Sequence, residues 1–248
     1  MEHEAGRDPW MDWQGGAIFR PVRTGNAFEE TVERILEAVK LGVFGYGDRL
    51  PAERDLAVRL NVSRDTLREA IRSLQAAGCV ESRRGRYGGS FVTYRPPVPD
   101  LADLRRAVQD MGSELEDALT YRMVLESGAS ELAARRRLSA EQRAYLTRRH
   151  EELEDAGPEE YRRLDSRFHL AIAELTSSPS LAVGIAASRM RLNDLLNAIP
   201  ILERNIEHAS HQHRAMVEAI LSGDALAARR ATAEHLEATA ALLRGFLG

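Results

Sequence analysis

The sequence predicts a mainly α-helical protein in two parts: an N-terminal winged helix-turn-helix and a C-terminal all-α antiparallel helical bundle. Three observations predict it. Apolar residues recur at helical spacing along most of the chain. The two stretches that read as strands, CVESRR and SFVTY, flank the Gly-rich turn GRYGG and follow three short helical patterns. A proline run, Arg95-Pro96-Pro97-Val98-Pro99, can continue neither a helix nor a central strand, and beyond it only helical patterns occur.

Residues 1–26 are polar, rich in Gly and charge and without a sustained period, which predicts a flexible arm despite Trp10 and Trp13. The winged module spans 27–95. Phe28, Val32, Ile35, Leu36 and Val39 mark its first helix, which Gly42 ends. Pro51 stands where a first helical residue belongs, and AERDLAVRL makes a short helix that stops at Asn61. Ser63 caps the third helix, RDTLREAIRSLQAAG, which ends at Gly78. Residues 96–112 form a linker and the start of the bundle, and 113–248 the bundle proper. Helical patterns run at about 100–110, 113–137, 139–156, 158–177, 179–198, 202–222 and 224–246. They are separated by Gly157-Pro158, Ser178-Pro179, Pro200 and Ser222-Gly223-Asp224, connections short enough to place consecutive helices side by side.

Bulk properties agree with two folded domains. The chain has 248 residues, more than the roughly 100–200 of one domain, with 44% hydrophobic and 29% charged residues. No apolar run approaches the roughly 20 residues of a membrane span, and MEHEAGRDPW has no features of a signal peptide, so a cytoplasmic protein with no membrane partner is expected. The single cysteine, Cys79, excludes an intrachain disulfide and a cysteine-based zinc site, and reads as a small core residue. Net charge is −4, yet Arg49–Arg95 holds ten arginines against Glu53, Asp55, Asp65, Glu69 and Glu81. A basic module for a polyanion is thus attached to an acidic body.

A helix-turn-helix sets the first residues of its second helix in the major groove while flanking groups hold phosphates. Here that start is Ser63-Arg64-Asp65-Thr66-Leu67-Arg68. Arg64 and Arg68 share a face, with Leu67, Ile71 and Leu74 on the buried side. Arginine can bond guanine bidentately, and the hydroxyls of Ser63 and Thr66 can serve phosphates or base edges. Arg54 projects from the preceding helix, and Arg83, Arg84 and Arg86 crowd the hairpin tip as a basic wing. One such arginine would read as a solvated helix face; the joint pattern points to DNA. The stretch LPAERDLAVRLNVSRDTLREAIRSLQAAGCVESRRGRYGGSFV resembles the GntR family of bacterial regulators over nearly the whole family signature. That resemblance implies that Arg54, Arg64, Thr66 and Arg68 contact the operator and that Gly85 and its neighbours enter the minor groove. The tip RYGG departs from the shorter turns of the family.

In the second half, Asp165 and His169 lie four apart on the edge of the stripe Tyr161, Leu164, Phe168, Ala171, Ile172 and Leu175. His213 falls within the stripe Ile206, Ala209, Met216, Val217 and Ile220, where a lone imidazole is poorly solvated, while His208 and His211 point away. His235 sits among Ala228, Ala231, Ala238, Leu242 and Phe246 on a helix apolar on both sides. Each histidine alone reads as a hydrogen-bonded core or edge residue, as His150 does near Leu146 and Leu153. Together with Asp165 the three suit a divalent transition metal, zinc first, with nickel, iron or manganese as alternatives. Arg122, in the centre of the stripe Leu115, Ala118, Leu119, Ala129 and Ala133, needs an anion: Glu126 one turn on, or a ligand carboxylate. The phase of Arg189, Arg191 and Asn193 leaves open whether they face a cavity.

This half resembles the FCD domain of the FadR subfamily within the GntR family. There the pattern Asp-x3-His, a later His and a last His in the final helix marks metal-binding members, and Asp165, His169, His213 and His235 match it. The resemblance also implies that Arg122 clamps an effector. Ser177-Ser178-Pro179 departs from relatives that carry Asn after the metal-ligand helix. The expected function is a homodimeric transcription regulator, a metabolite-released repressor that binds operator DNA and senses a small carboxylate. Two other readings are a regulator with a purely structural metal, and a metal-dependent hydrolase. Against the hydrolase stand the lack of a positioned base or nucleophile motif and the presence of the DNA module.

Overall fold

In the computed structural model the described residues are 26–85, 88–95, 113–198 and 203–247, with 102, 105, 106 and 108 between them. The expected flexible arm, the wing tip at Arg86 and the proline run lie outside these residues. The chain divides into two compact units: one takes in the chain to Val39 and Val43–Tyr94, the other Lys40–Gly42 and the chain from Arg95.

The first unit holds α1 (Ala27–Lys40), α2 (Glu53–Leu60), α3 (Arg64–Ala76), β1 (Val80–Arg83) and β2 (Gly89–Val92). The strands pair antiparallel, Val80 with Val92 and Arg83 with Gly89, and an isolated bridge joins Arg49 to Phe91. Ile35, Leu56, Leu60, Leu67, Leu74, Val80 and Val92 are buried and supply the core. Two details depart from the sequence reading. α2 begins at Glu53, because Ala52 is still extended (φ −57, ψ 139) and acts as the cap; the acidic Glu53 and Asp55 then complement the positive end of the helix dipole. Cys79 is not a core residue but half-buried, because it follows Gly78 in its left-handed turn (φ 71) and precedes the strand.

The second unit holds α4 (Ser113–Arg135), α5 (Ala140–Glu154), α6 (Pro158–Leu175), α7 (Pro179–Ala198), α8 (Glu203–Ser222) and α9 (Ala225–Leu247). Ser139 and Gln142 form a reciprocal capping box on α5, and Gly157 with Pro158 starts α6. α9 runs antiparallel to α4, with Thr232 at Ser130 and Arg244 at Glu116. α4 is the central helix and touches α6, α7, α8 and α9. That position explains why it buries polar groups, Arg122, Glu126, Ser127 and Ser130, as well as apolar ones. Towards one end, Leu115, Leu119, Leu192, Leu196 and Leu243 close an apolar cluster. Among the described residues, no helix is long and apolar enough to cross a membrane.

Candidate functional site

In the first unit, Ser63 caps α3 through its side chain, accepting the backbone N–H of Thr66 at 3.0 Å, and its Oγ is 2.8 Å from that of Thr66. The cap fixes the start of the helix. Arg64 and Arg68 then stand exposed on one face, over the buried Leu67 and Ile71. Nε of Arg68 donates to Glu53 Oε2 of α2 at 3.0 Å, and Arg54 pairs with its neighbour Asp55 at 3.2 Å. Arg64 and Arg84 are exposed and make no hydrogen bond or ion pair among the described residues. Gly85 has φ 106, a turn conformation that glycine adopts freely. Arg83 stacks on Phe91, 4.4 Å from the ring centre, and pairs with Glu81.

In the second unit three helices converge. Asp165 and His169 come from α6, His213 from α8 and His235 from α9, and one donor atom from each lies within 4.8 Å of all the others. Donors on a metal with bonds of roughly 2.1 Å are at most about 4.2 Å apart, so closing on an ion needs a shift of under about 1 Å. The ring centres of His213 and His235 are 4.4 Å apart and those of His169 and His235 5.1 Å. Phe168 walls one side, 5.0 Å from the His213 ring.

The surroundings orient these rings. Nδ1 of His169 is 2.7 Å from Glu126 Oε2, which leaves Nε2 turned towards Asp165 at 3.7 Å. Nδ1 of His235 is 3.1 Å from Gln212 Oε1. Partners of this kind fix tautomer and ring direction in metal-binding histidines. Nε2 of His213 is 3.3 Å from Asp165 Oδ1, close but not aligned as a hydrogen bond. Both nitrogens of His213 and Nε2 of His169 are buried with no hydrogen-bond partner among the described residues. A polar atom left so costs about 1–3 kcal/mol, and one nitrogen from each ring beside a carboxylate is a donor set that suits a transition metal.

Arg189, 1% exposed, is the residue that sequence reasoning left undecided. It donates to both carboxylate oxygens of Glu126, at 3.1 and 3.0 Å, and to Asp165 Oδ2 at 2.5 Å. Nε of Arg122 donates to Glu126 Oε1 at 2.8 Å, so the internal partner considered for Arg122 is present. Burial would raise the pKa of Glu126, but Arg189, Arg122 and His169 more than offset it and hold the carboxyl well below the usual range. Asp165 is likewise held low against burial, chiefly by Arg189. Burial, with Arg189 next, lowers His169, against the upward pull of Glu126 and Asp165. Burial and the neighbouring His213 and His169 push His235 down further. Neutral imidazoles and an ionised carboxylate are the forms that bind metal.

A cavity of about 90 Å³ opens beside this cluster, lined among others by Arg122, Asp165, Asn193, Asn205, His235 and Thr239. Ligand pockets for drug-sized molecules run to roughly 300–1,000 Å³, so this space suits a small molecule. Asn193 reaches it, whereas Arg191 is exposed and 3.9 Å from Asp117. His150 is buried against Phe168, outside the cluster.

The gntR family of bacterial regulatory proteins matches residues 28–92, and the FCD domain matches residues 117–238. A protein of Mycobacterium gastri named as an HTH-type transcriptional regulator, RmpR, is 32% identical over 228 residues, covering 88% of this chain and 81% of that one. This chain belongs to the GntR family. Its two matched domains make it a DNA-binding transcription regulator of the GntR/FCD type, and its relatives are regulators, not enzymes. The Exu regulon transcriptional regulator of Escherichia coli (strain K12) is 28% identical over 223 residues, covering 87% of this chain and 84% of the relative. A second protein of that strain, named for the L-lactate dehydrogenase operon, is 29% identical over 237 residues, covering 88% and 86%. The solved structure of E. coli McbR/YncC shares the fold of this GntR-family regulator, with TM-score 0.50 and 20% identity, over 88% of this chain and 97% of that one.

Proposed function

We propose that this regulator is a homodimeric, cytoplasmic repressor, released from its operator by a small carboxylate that binds beside a divalent metal. The convergence of Asp165, His169, His213 and His235 next to a small polar cavity carries the reading. Those four side chains would hold the metal, zinc first, and the ion would supply a Lewis-acidic anchor for an anion. Without a metal the paired charges balance, Arg122 and Arg189 facing Glu126 and Asp165, with Arg162 also beside Asp165 at the cavity. A divalent cation tips that balance positive, which favours an anionic ligand. Arg122 lines the cavity while its Nε holds Glu126, so its guanidinium borders both the carboxylate and the ligand space. Arg54, Ser63, Arg64, Thr66, Arg68, Arg84 and Gly85 form the proposed operator-contacting set; Arg64, at the start of α3 and with no partner among the described residues, is the leading base reader. Residues 27–95 are the reading head and 113–248 the sensor. An effector acts only if it binds the DNA-competent and DNA-incompetent states unequally.

The test is a thermal-shift screen of 2-hydroxy acids, sugar acids and dicarboxylates with and without chelator, followed by operator gel shifts. The relative named for an L-lactate dehydrogenase operon puts 2-hydroxy acids first. At least one acid is expected to raise the melting temperature only in the metal-loaded protein and to release operator DNA. Stabilisation by metal with no response to any acid would instead show a structural ion.

A further inference from the structure

The winged unit has a cavity of its own, about 380 Å³, where α2 begins beside the hairpin; Arg49, Glu53, Ser82, Arg83 and Ser90 stand on its walls. Backbone bonds fix its frame. The N–H of Leu50 donates to the carbonyl of Ser90 at 2.8 Å and that of Val92 to Asp48 at 2.9 Å, which ties the segment leading into α2 to β2. The first N–H groups of a helix have no partner inside it, and Ala52, at the cap position of α2, has no side-chain acceptor to offer. Ser63 supplies that acceptor for α3. Pro51, Ala52 and Glu53 line the cavity, so the uncapped end of α2 opens into it. A second observation points the same way: Ser90 is only 8% exposed and lines the cavity, yet its hydroxyl has no hydrogen-bond partner among the described residues. A buried hydroxyl of this kind calls for a partner from the space it borders. Charge agrees. Arg49 lies over Gly89, where a Cβ would come within 2.6 Å of its Nε, and it makes no hydrogen bond or ion pair among the described residues. The neighbouring carboxylates are matched elsewhere, Glu53 by Arg68 at 3.0 Å and Glu81 by Arg83.

We infer that this cavity binds a phosphate group, held by the free N–H of Glu53, the guanidinium of Arg49 and the hydroxyl of Ser90, with Arg83 alongside. A helix start presents N–H donors and positive potential to an anion, and phosphate oxygens accept from several such donors at once. The phosphate belongs either to the backbone of a DNA duplex or to a free phosphate compound; the chemistry that recognises it is the same. Arg49, Ser82, Arg83 and Ser90 lie outside the operator-contacting set proposed above, and the inference uses neither the metal nor the carboxylate effector.

Amide NMR of the full chain tests it, with inorganic phosphate titrated against chloride at equal ionic strength in the presence of chelator. The amides of Glu53 and Arg54 are expected to shift saturably with phosphate and not with chloride. Ser90→Ala and Arg49→Met should each weaken that binding about tenfold, as the loss of one hydrogen bond to a charged group does. Arg72→Met, which removes the same charge from an exposed position of α3, should leave it unchanged. Fluorescence anisotropy in phosphate-free buffer then identifies the source. For a duplex phosphate, both variants lose affinity for every duplex and Arg49→Met lowers the slope of log affinity against log salt by about one. For a free phosphate compound, both bind duplex as wild type does. Shifts that chloride reproduces overturn the site, as does wild-type phosphate affinity in either Ser90→Ala or Arg49→Met. Unmoved amides together with wild-type duplex binding by both variants overturn it as well.

Discussion

Nδ1 of His169 lies 2.7 Å from Oε2 of Glu126, and both side chains are 2% exposed. A carboxylate behind a metal-binding histidine holds the proton on the far nitrogen and keeps the near lone pair aimed at the ion. Glu126→Gln should therefore lower metal affinity by roughly 10–100-fold, the usual effect of losing such a partner. Competition with a chromophoric chelator measures it; undiminished affinity would show that Glu126 does not orient the ring.

Arg189 is the counter-charge shared by two buried carboxylates. Arg189→Met leaves Glu126 with Arg122 and the His169 ring, and takes from Asp165 the arginine that donates to it. Removing one member of a buried ion pair costs about 3–5 kcal/mol, which the urea midpoint of the metal-free protein should show. Bound metal supplies positive charge to the same carboxylate, so adding it should narrow the gap between variant and wild type. An unchanged midpoint would mean that water reaches these groups.

The sequence made part of this network legible. The i, i+4 spacing on a strongly amphipathic helix placed Asp165 and His169 on one side of α6, and the stripes of α8 and α9 turned His213 and His235 inward. Arg189 could not be phased, because α7 is apolar on nearly every side and its period carries little information. Glu126 was visible only as a partner for Arg122 four residues away. Its reach to His169 and Arg189 depends on how α4, α6 and α7 meet, which no single helix encodes. Gln212 was missed altogether: it lies beside His213 in sequence but serves His235, on another helix. In the winged unit, the Ser63 cap was readable from local chemistry, whereas the start of α2 turned on the backbone of Ala52.

The reading head offers a division of labour. Arg64 has no partner among the described residues, whereas Arg68 is held by Glu53. Arg64→Ala should cost about 1–3 kcal/mol of operator binding while affecting random duplex little, as expected for a base contact. Arg84→Ala should weaken binding to every duplex and reduce the slope of log affinity against log salt by about one, as expected for a phosphate contact. Fluorescence anisotropy over a salt series separates the two; equal losses on operator and random duplex for Arg64→Ala would remove it from base reading.

The buried imidazoles also set a pH dependence. His235 and His169 are held below the ordinary histidine range in the folded protein, by burial first in both cases. In the unfolded chain they take up protons near pH ~6.5. As pH falls below that value the unfolded state binds protons that the folded state refuses, so stability declines; above it the two states differ little and the curve flattens. Glu126 and Asp165 are depressed in the folded state, so their contribution persists through this window and is lost only at lower pH, below the ordinary carboxylate range. The urea midpoint of metal-free protein should thus drop between pH 7 and 5, and drop less in His235→Gln. Bound metal should steepen the wild-type decline, because acid releases the ion by protonating its ligands. A flat profile across that interval in the metal-free protein would contradict a pair of neutral, buried imidazoles.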